Sequence, residues 1–294
     1  MSEHDVVRRT KNPATIGTLI QDFRRLGLKR GDVVIVHSAM SKMGWIAGGA
    51  VAVIDALMRV LSPEGTLVMP THTANNSDPA RWQNPPVPQS WWSIIRTQSA
   101  PYRPEITPTW KMGIIPETFR RYPNVLRSEH PIYSFAAWGK HAERIVEGHS
   151  IEVDMGEHSP LGKIYELDGK ILLLGVGHEN NTSLHLAEHR SDYPNKKTRR
   201  EGAAVLIAGQ RQWIEWDILD YDSDDFAALG KAFEASQNYQ PQQVALAKAR
   251  LMSQRKIVDF GTGWLSAHRS KQADSDQDSS AMNITQSSNP TPTV

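Results

Sequence analysis

No cysteine occurs in the 294 residues. Disulfides, thiolate metal sites and a cysteine nucleophile are therefore excluded, and any acyl-thioester chemistry must use a thioester that arrives on another molecule. An excess of charge of either sign is also missing: 33 basic side chains stand against 32 acidic ones, for a formal net charge of +1. That balance gives no electrostatic reason to expect nucleic acid or an anionic membrane as partner, and a polyionic ligand would need a local patch. Nor does any stretch approach the roughly 18 apolar residues of a membrane-spanning helix. The polar lead Met1 to Lys11 is not followed by the apolar run of a secretory signal. These absences point to a globular, cytoplasmic protein, and 39% hydrophobic residues suffice for a substantial core.

Periodicity then gives an outline. Ile16, Leu19, Ile20, Phe23 and Leu26 recur at helical spacing, with Gly27 where a helix stops. The β-branched run Val33 to Val36 predicts a strand, followed by the small and polar residues 37–41. A helical stripe of Val51, Ile54, Leu57, Met58 and Leu61 ends at Ser62-Pro63-Glu64-Gly65, before a strand over Thr66 to Met69. Strand, helix, strand is the pattern of a βαβ unit. Residues 70–108 are irregular and rich in Pro, with Trp82, Trp91 and Trp92, which predicts a flap or lid packed by its own tryptophans. Further on, the pattern predicts helices over 114–122 and 142–147, a strand over 133–137 and a helix opened by Ser159 and Pro160. The apolar strand Ile171 to Leu174 then leads into Gly175. A hairpin turned at Gly209-Gln210 and helices over 226–235 and 242–252 follow, and then a terminal segment holding Val258, Phe260, Trp264 and Leu265. Residues 270–294 are Ser, Gln, Asn, Asp, Thr and Pro, a composition that predicts a disordered tail. The expected fold is α/β: one domain over 1–269 with a central, mostly parallel sheet flanked by helices, and a C-terminal hairpin and helical subregion.

Chemistry concentrates in the run from Asn180 to His189, just past a central strand's carboxyl end, where open α/β sheets place ligands. Two readings compete there. His185, Glu188 and His189 spell H-x-x-E-H, which on a helix matches a zinc-hydrolase pattern, although Pro194 cuts the helix short and no third ligand is indicated. Alternatively His185 is a general base with a neighbouring carboxylate to fix its tautomer.

Several separated segments, taken together, carry a resemblance. Val36 to Trp45 with Gly48-Gly49, Gly65 to Pro70, Thr107-Pro108-Thr109 with Met112-Gly113, and Glu117 to Arg120 are four of them. Arg127 to Pro131 with Ser134, Ala136 to Gly139, Ser159-Pro160-Leu161, and Leu174 to Glu188 complete the set. In their order and spacing, from about Thr15 to Leu265, the chain resembles the aminoglycoside 3-N-acetyltransferase family. The resemblance implies acetyl-CoA as co-substrate and a 2-deoxystreptamine aminoglycoside as acceptor, acetylated on its 3-amino group, with antibiotic resistance as the outcome. Transfer would be direct, in a ternary complex. His185 would take the amine proton, Glu188 or Asp220 would orient it, and backbone amides near Ser38 to Gly49 would stabilise the oxyanion.

Acetyl-CoA would be held by His37, Ser38, Ala39, Ser41, Lys42, Gly44, Trp45 and Gly48, by Thr107, Met112 and Gly113, and by the donor cluster Arg127, Ser128, His130 and Ser134. The acceptor's ammonium groups would meet Asp78, Glu157, Asp222 and Asp225, the last two from an acidic stretch after the hairpin. His189 stands where many members of the family carry an aromatic residue, which weakens the zinc reading; no resident metal is expected. The same fold acting on another amine, and a non-catalytic binder of CoA or cationic sugars, are the other readings. A homodimer is kept open.

Overall fold

The computed structural model describes residues 2–286. After a short exposed helix α1 (Glu3–Arg9), the predicted first helix forms as α2 (Ile16–Leu26), capped by the Thr15 side chain and stopped by Gly27 in the left-handed region at φ 107°. The βαβ unit follows as β1 (Val33–Ser38), α3 (Gly49–Leu61) and β2 (Thr66–Pro70). Next come α4 (Trp92–Gln98), α5 (Ile114–Phe119), β3 (Leu126–Arg127), β4 (Phe135–Gly139), α6 (Ala142–Val146), α7 (Pro160–Glu166) and β5 (Lys170–Leu174). The chain continues through α8 (Leu184–Arg190), the hairpin β6 (Thr198–Ile207) and β7 (Gln210–Leu219), α9 (Phe226–Ser236), β8 (Gln242–Val244), β9 (Ala247–Ser253) and α10 (Gln254–Gln286).

Seven strands form one sheet in the order β3-β4-β2-β1-β5-β9-β8. β1 runs parallel to both β2 and β5, while every other pairing is antiparallel. Within the sheet, parallel pairing is thus confined to the three central strands, narrower than the mostly parallel sheet expected. Alternation along β1 sends Val34 and Val36 to one face, under α2, α3 and α5, and Val33 and Ile35 to the other, under α6 to α10. A sheet covered on both faces explains why Ile171 to Leu174 reads as an unbroken apolar run. Among the described residues no helix is long and apolar enough to cross a membrane.

Four expectations change. The flap over 70–108 contains α4 and three single-turn 3-10 segments, Ala74–Asn76, Pro79–Arg81 and Gln89–Trp91. Its anchors are mainly polar rather than its own tryptophans: Arg96 pairs with Asp78 at 2.8 Å, Arg211 of β7 donates to carbonyls of Arg96 and Ser99, and Trp91 stays exposed. The hairpin turns at Ala208-Gly209, one residue earlier than expected, with φ values of 49° and 76° that suit a tight turn.

The helix expected over 242–252 is instead the β8–β9 hairpin. Ala, Lys, Arg and Leu there favour helix, but Ala247 and Ala249 alternate with exposed Lys248, and pairing of Leu251 with Leu172 and Ala249 with Leu174 in the buried sheet outweighs local propensity. Finally, the tail expected to be disordered from 270 is helical as far as Gln286. Extending an existing helix requires no new nucleation. The rest of the tail, 287–294, lies outside the described residues.

Leu173, on the central parallel strand β5, is fully buried against the helices of the α6-to-α10 face. Leu173→Ala is expected to cost about 2–5 kcal/mol of stability, read as a lower urea midpoint with an unchanged slope.

Candidate active site

The carboxyl ends of β2, β1 and β5 open on one side of the sheet. β1 delivers His37 and Ser38 to a 3-10 turn at Met40–Lys42, β2 delivers Pro70 and then His72, and β5 passes through Gly175 to the turn His178–Asn180 and into α8. Gly175 has φ 74°, and a Cβ there would stand 2.8 Å from the Cβ of Lys42, so glycine is what lets the two loops close up. Between these strand ends lies a cavity of about 660 Å³, lined by His37 to Ser41, His72, Met112, Gly113, Asn180 to Thr182, His185 and Tyr221 among others.

α8 lasts only seven residues, yet it carries both imidazoles of the motif. His185 sets Nδ1 at 2.8 Å from Oε2 of Glu188, one turn along the helix. Glu188 is wholly buried, and its Oε1 accepts from Nη1 of Arg269 at 2.7 Å and from the Asp222 amide at 2.9 Å. Burial by itself would raise the Glu188 carboxyl. The hydrogen bond and charge of His185, then Arg269 and the Asp222 N–H, reverse that and hold it below the ordinary glutamate value. Arg269 also grips Asp225 at 2.9 and 3.0 Å, the Asp222 carbonyl at 2.7 Å and the Tyr193 hydroxyl at 2.8 Å.

His189 faces elsewhere. Its Nε2 is 3.0 Å from Oδ1 of Asp154 and 2.6 Å from the Tyr221 hydroxyl, and the Tyr221 ring stands edge-on to His185 with centroids 4.8 Å apart. The two histidines of H-x-x-E-H are thus turned to different carboxylates. Among the described residues no group of three or more His, Cys, Asp or Glu side chains is set to hold a metal ion.

Of the cofactor-site expectations, His37, Ser38, Ala39, Ser41, Met112 and Gly113 line the cavity, while Lys42, Gly44, Trp45, Gly48 and Thr107 do not. Gly44 packs where any Cβ would meet Leu246, the Trp45 amide donates to the Thr10 side chain, and Gly48 starts α3 at φ 89°. The Thr107 hydroxyl accepts from the Arg103 amide. Backbone amides are also less available than expected: those of Ala39, Lys42, Met43, Ala47 and Gly49 already donate to carbonyls.

The Arg127, Ser128, His130 and Ser134 cluster is braced internally. Arg127 donates to the carbonyls of Thr71, Pro104 and Thr107 and to the hydroxyls of Thr71 and Ser134. Ser128 accepts from the Phe135 amide, His130 Nδ1 accepts from the amides of Ile132 and Tyr133, and Ser134 donates to the Thr71 carbonyl. All three of these last residues are buried, and none of the four lines the cavity.

Among the carboxylates, Asp220 pairs with Arg199 at 3.1 Å and Lys197 at 3.5 Å, so Glu188 and not Asp220 is the group against His185. Asp78 is taken by Arg96 within the flap, Glu157 by Arg190 at 2.6 and 2.8 Å, and Asp225 by Arg269. Asp222 keeps a place beside Asp220 and Asp224 in an adjoining depression of about 570 Å³, which shares Tyr221 and Ser223 with the main cavity.

Sequence reasoning missed His72, Tyr221 and Arg269. His72 could have been found, since it follows a parallel strand's carboxyl end. Arg269 carries no local signal.

An imidazole held by a buried carboxylate thus stands in a cleft outside parallel strand ends, where open α/β sheets place their ligands. The family model for aminoglycoside 3-N-acetyltransferase matches residues 35–266. Similar proteins include YokD of Bacillus subtilis (strain 168), described as an SPbeta prophage-derived aminoglycoside N(3')-acetyltransferase-like protein. It is 45% identical over 90% of this chain and 97% of its own. The crystal structure of YokD covers 89% of this chain and 97% of its own, with a TM-score of 0.86. Aminoglycoside N(3)-acetyltransferase VII of Streptomyces paromomycinus is 32% identical over 90% and 96% of the two chains. A structure described as AAC-IIIb binary with CoASH is 30% identical over 88% and 98%, with a TM-score of 0.78. The chain belongs to the aminoglycoside 3-N-acetyltransferase family.

Arg269→Gln would leave the buried Glu188 without its guanidinium, at an expected cost of about 3–5 kcal/mol. Because the Glu188 pKa is lowered by folding, its contribution is complete above the ordinary value of 4.5 and is lost as pH falls below it. In the variant the folded-state carboxyl should lie higher, so that loss should be smaller or reversed, visible in urea midpoints measured from pH 3 to 7. Parallel curves for the two proteins would show that the guanidinium does not control Glu188.

Proposed function

We propose that the chain transfers acetyl from acetyl-CoA directly to the 3-amino group of a 2-deoxystreptamine aminoglycoside, with His185 as general base. The observation that supports this most is the His185–Glu188 hydrogen bond at the cavity wall. An ammonium cannot attack a thioester until it loses a proton. With Nδ1–H donated to an ionised Glu188, His185 offers the Nε2 lone pair to the amine, and the carboxylate stabilises the imidazolium that results. The amine nitrogen then bonds to the thioester carbon, the C–S bond breaks, and the CoA thiolate leaves and is protonated.

For the co-substrate, Ser38 supports the fit: the residue lines the cavity and its hydroxyl has no partner among the described residues, so that it can turn to an amide of the pantetheine arm. Ala39, Ser41, Met112 and Gly113 would flank that arm. Asp222 and Asp224, in the adjoining depression, would meet the acceptor's remaining ammonium groups. Resistance to the acetylated antibiotic would follow from the loss of a cationic amine.

A second reading keeps the chemistry and changes the acceptor to a less cationic amine. It is favoured by the pairing of Asp78, Glu157, Asp220 and Asp225 with arginines, which leaves fewer free carboxylates than a polycation would use.

Thiol release from acetyl-CoA across a panel of aminoglycosides and simple amines separates the two readings. Release with 2-deoxystreptamine aminoglycosides supports the first, release with simple amines alone supports the second, and no release with any acceptor removes both. His185→Ala is expected to lower kcat by about 10²–10⁴-fold, with Glu188→Gln intermediate.

A further inference from the structure

We propose that His37 and His72 are catalytic residues, whose imidazole N–H groups hydrogen-bond the thioester oxygen as it becomes an oxyanion. This rests on the acyl-transfer reading above, in which His185 has a different task.

Placement comes first. Strand alternation puts His37 on the same sheet face as Val33 and Ile35, the face that α8 covers. His72, just beyond the end of the neighbouring strand β2, stands edge-on to Phe135 of that same face at 5.3 Å between centroids, and to Tyr133 at 5.6 Å. His185 reaches the face from α8, its ring 4.9 Å from Phe226. Three imidazoles therefore line one cavity, two from parallel strand ends and one from the helix above.

Their hydrogen bonding differs. His185 is wired to Glu188, whereas Nε2 of His37 and Nε2 of His72 are fully buried with no partner among the described residues. His37 as a whole is buried and His72 half-buried, yet both nitrogens are shut away from bulk water. Neither ring makes a hydrogen bond among the described residues, so each can turn an N–H to a ligand atom in the cavity that both residues line. The Ala39 amide, at the end of the same strand as His37, is already engaged by the Leu174 carbonyl.

Charge decides what these rings can do. Burial, then the neighbouring His185, pushes the pKa of both His37 and His72 down to about 3. At neutral pH they are uncharged and too weakly basic to take a proton from an ammonium. A neutral imidazole remains a hydrogen-bond donor, and a donor fixed where negative charge develops in a water-poor site contributes more to the transition state than to the ground state. In the step itself the amine nitrogen bonds to the carbonyl carbon, the C=O electron pair moves onto oxygen, and His37 and His72 donate to that oxygen without losing their protons. The pair returns as the C–S bond breaks.

The test compares His72→Phe and His37→Phe with His72→Gln, which keeps an N–H donor, and with His185→Ala, using an acceptor found in the thiol-release panel. Each phenylalanine variant should lose about 10²–10³-fold in kcat, with KM for acetyl-CoA changed by less than about threefold, as expected for an interaction made only in the transition state. His72→Gln should recover at least about tenfold of the loss. Should His72→Phe not fold by thermal denaturation, His72→Leu carries the same expectation. If the phenylalanine variants keep kcat within about threefold while His185→Ala is inactive, the oxyanion assignment falls and the general base stands. A loss confined to KM would also overturn it. If His185→Ala is active, the base assignment is what fails.

Discussion

The arrangement hangs on a single buried carboxylate. Glu188 is enclosed completely, and a lone carboxylate in that position would be protonated rather than charged. It stays ionised because three donors from three parts of the chain converge on it: the His185 ring on its own helix, the Asp222 amide after the long hairpin, and the Arg269 guanidinium on the last helix. The same contacts that stabilise the charge also decide where the His185 ring points and where the acidic loop lies. Ring orientation and loop position are therefore one electrostatic problem, solved once.

Around this centre the sheet supplies placement. Parallel pairing is kept for the three strands whose carboxyl ends build the cavity, and antiparallel arms complete the sheet on each side. One arm, β4 with β3, leads through a loop cross-braced by Arg127; the other, β9, runs without a break into α10. The irregular flap is pinned to the long hairpin by Arg96, Arg211 and Tyr102, whose amide donates to the Ala204 carbonyl. Two segments remote in sequence thus form one wall.

The helices α2 and α3 are legible because each buries a face whose spacing repeats along the chain, and β1 and β5 because a strand covered on both faces is an unbroken apolar run. His185 and Glu188 were legible for a related reason: residues one turn apart on a helix meet wherever the helix is placed. Arg269 was not legible, since it completes the site from 81 residues downstream of Glu188 and nothing in its neighbours marks the direction it faces. The donor cluster at Arg127 is ambiguous in sequence because a loop anchor and an anion site use the same residue types. Only the carbonyls of Thr71, Pro104 and Thr107 tell them apart. The β8–β9 hairpin was misread because Ala, Lys and Leu favour helix, whereas its outcome was set by an open place beside β5.

Arg269 has one more consequence, which concerns the order in which a ribosome releases the chain. Glu188 and Asp225 of the acidic loop are both synthesised before the guanidinium that pairs with them, and the helix carrying it begins only at Gln254, after the last strand. Until that helix has emerged and docked, enclosing Glu188 leaves a carboxylate without its cation, which disfavours closure of the pocket. The sheet can assemble early, but the reactive centre is among the last parts to become native. A nascent chain interrupted before residue 269 would carry most of the core and an open, unfinished site.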